Sequence, residues 1–533
     1  MSREFTVEFQ TRDFARPLLI PDLSFSVLRM TKDAIGGPKA ASIHVRGSEI
    51  ALWQLFQIIR APLVIYNDRG EAVWWGLLNE INIYLEHLSI GISLKEMANR
   101  IAVAYNELSA GETGIGTRGT TAFSQANDSV TEFGIKERLE SLADADSASA
   151  INMRDLFLQR VKYPVATIRP RERGRKQIGA TLECGSWFDT LGWQFWNQTA
   201  GREAHESWDD TQQWGAITTN NQLKQTFQIA GATGWNASTA AVRASKEEEV
   251  GGQLNDPTIE LWDDSGGLPG TQLAAGTIDR STIPELPAFE WGTANWTTNP
   301  FLAPATTYHF ILNAQGTYTD DEYAVQVDEA LGYASGAFTM KDNGSWVARG
   351  VDADLAFRIS GVEETTKQME RIVDSEGEFI TNFRIHYEAD GTKQASGKFT
   401  SQYRDGDFTA LDELMDLLEI GRGSGNRYLA KIFSDRSMEV FEEPDLGEND
   451  YRLRHDGTIV TDKGMTVDKT ELEAGFWLHL SDVIPEAVDL AIMTKPDPIF
   501  IERLEYNVQR DELIYDPRDI KSPWELFEFT RGR

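Results

Sequence analysis

Seven histidines are scattered singly, at His44, His87, His205, His309, His386, His455 and His479. No two stand at i and i+4, the spacing that sets two imidazoles on one helix face for zinc. The sequence holds no G-x-S-x-G nucleophile elbow and no Walker loop. Gly114-Ile-Gly116-Thr-Arg-Gly119 does fit G-x-G-x-x-G. A phosphate cradle needs a strand before it and a helix after it. Here Glu107 to Thr113 is loop-like and Thr120-Thr-Ala-Phe-Ser is no helix start, so the stretch reads as a loop. Asp263-Asp264, Asp320-Asp321-Glu322 and Asp405-Gly-Asp407 could each offer oxygen ligands to Ca²⁺. None has EF-hand spacing, and in a chain with 83 acidic residues each reads as a solvated turn. The single cysteine, Cys184, excludes an intrachain disulfide and a multi-cysteine metal site. Its strand-like surroundings make it a small buried hydrophobe. These residues predict no catalytic centre, no metal site and no cofactor.

Four tryptophans are candidates for stacking on sugar rings: Trp262, Trp291, Trp296 and Trp346. For each, filling the space between two sheets is the favoured reading. Trp291 and Trp296 lie in the polar stretch Phe289 to Thr298 and are expected to be the exposed pair.

The elements that must position these groups change character along the 533 residues. That length exceeds one core, since single cores stop growing near ~250–300 residues. Lys plus Arg is 51 and Asp plus Glu 83, a net charge of −32. Such a balance argues against free duplex-DNA binding and against an anionic membrane surface, both of which need concentrated positive charge. No apolar run reaches a membrane-span length. The start, Met1 to Phe9, alternates without an apolar signal region, so no secretory leader is expected and the sequons at Asn236 and Asn295 read as chance.

Leu23–Arg29 and Ala41–Arg46 alternate as strands, and Ser48 caps a helical stretch that Pro62 ends. Leu63–Tyr66 and Ala72–Leu77 flank the turn Asn67-Asp-Arg-Gly70. Residues 110 to 130 read as loop, and helices are predicted over Ile135–Leu142 and Ile151–Val161. From about 212 to 361 the pattern is strand, turn, strand. Thr258–Trp262, Thr307–Leu312 and Leu355–Ile359 are its clearest strands, which predicts an all-β sandwich. Beyond Gly361 mixed structure returns. A helix through Phe408, Leu411, Leu414, Met415 and Leu418 precedes a hairpin across Ser434-Asp-Arg. The order strand, helix, hairpin matches residues 40 to 78 and reads as an internal duplication.

Two resemblances follow. Leu63-Val-Ile65-Tyr-Asn-Asp-Arg-Gly70-Glu-Ala-Val-Trp74-Trp75-Gly76, Ala104-Tyr105-Asn, Phe133-Gly134-Ile-Lys-Glu137 and Cys184-Gly185-Ser-Trp187-Phe-Asp-Thr190-Leu191 come in an order that resembles the baseplate hub family of long-tailed bacteriophages. Thr258-Ile-Glu-Leu-Trp262-Asp-Asp-Ser265-Gly266-Gly267-Leu-Pro269-Gly270 resembles, with Gln225–Ile229 and Leu302–Leu312, a choice-of-anchor-type β-sandwich with a jelly-roll, carbohydrate-binding-like shape. The first resemblance implies two tube-type β-barrels in one chain and three chains forming a ring of six barrels; the sparse catalytic signals argue against an enzyme. It departs from the family in that a whole sandwich interrupts the hub.

The expected fold is therefore multidomain and mainly β with α+β parts. A first tube-like barrel spans 1–110, completed by 178–205, with a loop and helical segment at 111–177. The inserted jelly-roll sandwich covers 212–361 and a second tube-like domain 362–510. The end, 511–533, is either a docking tail or partly disordered. The resemblance implies a homotrimer, made in the host cytoplasm and placed at the virion tail tip. Its partners would be the tail tube, distal tail and tail tip or fibre proteins, the tape-measure protein and host-surface glycans. Genomic DNA would pass through without specific binding. A carbohydrate-binding or carbohydrate-active tail protein, with the sandwich as its working part, is the alternative.

Overall fold

A computed structural model describes residues 4–107, 118–170, 178–196, 201–214, 222–229, 234–247, 254–315, 322–329, 333, 336–342, 344–348, 353–376, 379–386, 396–401, 408–422, 426–447, 450–483 and 498–518. The protein is mainly β and divides into two compact units. The first comprises 1–196, 369–396 and 407–533; the second comprises 197–368 and 397–406.

In the first unit a fourteen-stranded sheet contains the long strand Ala72–Tyr84. Its hairpin with Pro62–Tyr66 turns where expected. The Asn67 side chain accepts from the amides of Arg69 and Glu71, and Gly70 takes a positive φ of 80° that suits a residue without Cβ. Period two sends successive tryptophans to opposite faces. Trp74 enters a core with Ile43, Leu78, Leu182 and Cys184. Trp75 enters another with Trp187, Leu191, Leu414 and Leu417, and its indole donates to the Ile432 carbonyl at 3.0 Å. The helix Ala410–Ile420 presents those leucines. Thr409 and Asp412 form a capping box at its start, and Gly421 at φ 60° ends it.

Several expectations are corrected here. Residues Glu137–Ala145 form a strand, not a helix, running parallel to Arg100–Glu107. The helical period of Leu139 and Leu142 is overridden because the backbone finds its partners in that neighbouring strand. Within the expected loop of 110–130, Asn127–Phe133 is a helix that Gly134 stops at φ 69°, and short strands occupy Arg118–Thr120 and Ser124–Gln125. Residues 362–510 do not stand as one separate sheet. Strands Ile499–Asn507 and Leu23–Asp33 pair antiparallel, so the C-terminal strands extend the N-terminal sheet. Asn382–Ile385, Ser437–Glu442 and Tyr428–Ile432 make their own three-stranded sheet. Of the predicted tail, Glu512–Pro517 is a strand on Ile499–Asn507, and 519–533 lies outside the described residues.

The second unit is a sandwich of a nine-stranded and a six-stranded sheet around one core. Trp214, Phe227, Trp235, Phe310, Tyr323 and Phe357 fill that core. The predicted strands at Thr258, Thr307 and Leu355 are all present. The limits are wider than 212–361, because Arg202–His205 and Phe399–Ser401 both pair with Phe357–Glu364.

Candidate functional site

The outer face of the six-stranded sheet gathers the polar and aromatic groups of the sandwich. Along Gln222–Gln228, Leu223 and Phe227 point into the core, which turns Lys224 and Thr226 outward. Along Thr307–Asn313, Phe310 and Leu312 are inward and His309 is outward. The ladder then sets Trp262 beside His309, His309 beside Thr226, and Lys224 beside Thr339. Lys341 stands opposite Trp346.

Outward residues of a sheet are normally wet, yet His309 is 0% and Lys224 3% exposed. The hairpin turn at Ser265-Gly266-Gly267 and the Trp346 indole cover them. Asp264 Oδ1 lies 2.8 Å from His309 Nε2, and the Gly267 amide donates to the same carboxylate at 3.0 Å. Thr226 Oγ1 lies 3.2 Å from His309 Nδ1. Lys224 Nζ lies 5.2 Å from the centre of the Trp346 ring and 3.5 Å from the Gly267 carbonyl. Burial lowers the His309 pKa, with the Asp264 hydrogen bond opposing it. The His309 hydrogen bond, followed by the Gly267 amide, lowers that of Asp264. Burial also lowers that of Lys224. A neutral imidazole fits this network, donating from Nε2 to Asp264 and accepting at Nδ1 from the Thr226 hydroxyl. Aspartate, histidine and hydroxyl in series have the order of a nucleophile activation chain. Here both ring nitrogens are occupied and the ring is fully buried, so the chain of bonds clamps the turn to the sheet.

The four tryptophans separate. Trp296 is in the core, 6% exposed, with its indole donating to the Ile259 carbonyl at 3.1 Å. The expectation that it forms an exposed pair with Trp291 is therefore corrected. Alternation along Glu290–Asn295 and the following turn carries it inward over Gly276. Trp291 is half-buried on the nine-stranded sheet, with the Arg358 guanidinium 3.8 Å from its ring centre. A sugar stacking there would meet that cation first. Trp262 and Trp346 are half-buried on the same outer face of the six-stranded sheet. Trp262 lies along it with its indole donating to Glu260 at 3.1 Å. These two are the members of the set that share an accessible face.

Sequence reasoning missed Lys224, His309 and a buried network beneath them. Gln225 is fully buried. Its amide donates to Asp354 at 2.5 Å, and its carbonyl accepts from the Leu355 amide at 2.9 Å. Asp354 also accepts from the Tyr333 amide, and burial raises its pKa. The alternating polar residues of Gln222–Gln228 were the only available signal, and alternation reports a face without reporting what covers it.

The remaining sequence candidates are not assembled into a centre. Asp263 and Asp264 bind the amides of Thr271 and Gly267. Gly119 lies in a short strand, while 114–117, Asp320-Asp321 and 405–407 fall outside the described residues. Among the described residues no three His, Cys, Asp or Glu side chains are grouped to hold a metal ion. In the first unit a cleft of about 390 Å³ is lined by Asn79, Glu80, Glu183, Lys136 and Trp193. Lys136 Nζ donates to the carbonyls of Leu94 and Lys95, and burial lowers its pKa to about 8. Glu183 accepts from Ser42, and Glu80 from Asn82. The charges of that cleft are thus spent on its own walls.

No family model and no curated protein matches the chain. Solved structures with distant likeness include a glycoside hydrolase family 43 arabinoxylan arabinofuranohydrolase from Bacillus subtilis. It is 9% identical with a TM-score of 0.13, and the match covers 57% of this chain and 65% of that one. Infectious bursal disease virus, Gx strain, gives 8% identity, a TM-score of 0.15 and coverage of 68% and 77%. A Bacillus thuringiensis Cry1Da tryptic core variant gives 9% identity, a TM-score of 0.16 and coverage of 58% and 52%. At these TM-scores none of them carries an assignment.

Proposed function

We propose that this chain is a structural hub of a long-tailed virus, a homotrimer that joins the tail tube to the tail tip and lines the channel for the genome. The observation that supports this reading is an order of elements that recurs in the first unit and that we read as an internal repeat. Strand Gly37–Gly47, a helix from Glu49 and the hairpin Pro62–Tyr84 form one copy. Asn382–Ile385, helix Ala410–Ile420 and the hairpin Tyr428–Glu442 form the other. In the second copy the first strand is directly parallel to the second hairpin strand. In the first copy those strands are again parallel, with Gly179–Gly185 antiparallel between them. Two such segments per chain become six in a threefold ring, which is how tube-type barrels would enclose a channel. The inserted sandwich, read as a jelly roll, would face outward toward neighbouring tail proteins or host glycans. Sedimentation velocity and negative-stain class averages, with and without the tail-tube protein, test this. Threefold rings are expected; monomers under both conditions would overturn it.

The net charge of −32 fits a channel that does not grip phosphate. Assembled rings are expected to leave double-stranded DNA unbound at moderate ionic strength. Tight, salt-sensitive binding would count against a passive channel.

A second reading has the sandwich as a carbohydrate-binding module, favoured by Trp262 and Trp346 on one face. Sugar titrations followed by tryptophan fluorescence should lose their response in Trp262→Ala and Trp346→Ala. Silence of the unsubstituted protein on a glycan array would remove this reading.

A further inference from the structure

One stretch of the first unit is built unlike the rest. The helix Ser147–Val161 leads into the strand Val165–Pro170, all six residues of which are exposed. Among the described residues, six of the twenty exposed large hydrophobic residues fall between 151 and 178, including Leu156 at 59% and Ile168 at 69%. Arg160, Lys162 and Arg169 make this arm basic in a chain of net charge −32. Among the described residues the strand pairs only with Leu88–Ser93, which leaves its other edge open. Open, apolar strand edges are templates for another strand and are seldom left bare.

The same unit carries a second open edge of complementary character. Glu512–Pro517 is also six residues long and, among the described residues, pairs only with Ile499–Asn507. Its exposed row is Glu512, Ile514 and Asp516, two carboxylates flanking an isoleucine that is 47% exposed. We propose that the edge Val165–Pro170 of one copy pairs with the edge Glu512–Pro517 of the next. Backbone groups would complete the ladder, Ile168 would cover Ile514, and the basic arm would meet the acidic row. Two different edges joined head to tail generate a ring when the rotation closes. A basic, apolar arm also suits an anionic lipid surface. Unpaired strand-edge amides and carbonyls are costly in hydrocarbon, so the open edge favours a protein strand. The inference names the contact inside the assembly proposed above and takes only the copy number from that reading.

The sole native thiol does not interfere with a disulfide test, because Cys184 is buried and burial pushes its pKa well above the usual range. Ile168→Cys and Ile514→Cys chains are made singly, mixed in equal amounts and mildly oxidised. Linked dimers are expected in the mixture and not in either variant alone, and a chain carrying both changes should form covalent rings. Val165→Glu with Ile168→Glu should weaken association at least tenfold while leaving circular dichroism unchanged. Links confined to single variants overturn the proposal, as does a monomer across micromolar concentrations. Ile168-dependent flotation with phosphatidylserine vesicles in place of cross-linking also overturns it. A threefold particle without the 168–514 link removes this interface and leaves the hub reading standing. The link in a ring of another order keeps the interface and removes the threefold hub.

Discussion

The two units close their cores in opposite ways. The sandwich draws its core from residues 214 to 359, one uninterrupted span of chain. The first unit draws on both ends of the sequence: Tyr506 joins a core with Phe9 and Ile43, and Lys32 donates to the carbonyls of Thr470 and Leu472 at 3.0 Å. Local closure makes a module that carries its fold with it. Distant closure makes a frame that is completed only when its two ends meet.

That contrast can be broken most directly in the cores. Trp74→Ala should remove about 3–5 kcal/mol from the first unit and leave the thermal transition of the sandwich in place. Phe357→Ala should do the reverse. Calorimetry that shows both transitions moving together in either variant would mean a single cooperative core. Next in size is the buried amide of the sandwich. Gln225→Leu takes a donor from Asp354 and an acceptor from the Leu355 amide, at a cost of about 1–3 kcal/mol confined to that unit.

Protonation acts more gently, through named groups in each unit. In the first unit burial lowers the Lys32 pKa from 10.5 to about 8, and that of Lys136 similarly. Between those values the unfolded chain holds protons that the folded chain has released, so stability should rise with pH from 8 to 10.5. Lys32→Met should flatten part of that rise, and Lys136 should keep the remainder. In the sandwich the His309 pKa is lowered from 6.5 and that of Asp264 from 3.8. The contribution of this pair is then full above pH 6.5 and is lost as pH falls through the folded-state values. His309→Phe should remove the upper part of that acid loss. Denaturation midpoints measured from pH 4 to 10.5 read both limbs, and a profile left unchanged by Lys32→Met or His309→Phe would count against that residue's share.

The contrast also explains what the sequence let through. In the sandwich, alternation and Gly-rich turns identified Thr258–Trp262, Thr307–Leu312 and Leu355–Ile359, because each strand buries one face and its own residues record that, whichever strands pair with it. The outlying strands Arg202–His205 and Phe399–Ser401 were missed, since both are short and gain their partner only from Phe357–Glu364. The hairpin at Asn67–Gly70 and the helix ending at Gly421 were legible for the same local reason. Ile499–Asn507 was not seen as part of the N-terminal sheet, because nothing in its residues encodes a partner more than 470 positions away. At the candidate site the aromatic residues were legible as types. Lys224 and His309 were not, because a turn and an indole from other strands bury them.

The pairing of Leu23–Asp33 with Ile499–Asn507 also sets a schedule. Asp33 and Arg503, joined by a hydrogen bond of 2.7 Å, are 470 residues apart. At roughly 5–20 residues per second of synthesis, the first strand waits about 25–95 s for its partner to emerge. The sandwich is finished within that interval. During translation that edge of the N-terminal sheet therefore stays unpaired while the whole sandwich is made, so the strand must be kept from other partners until its own arrives.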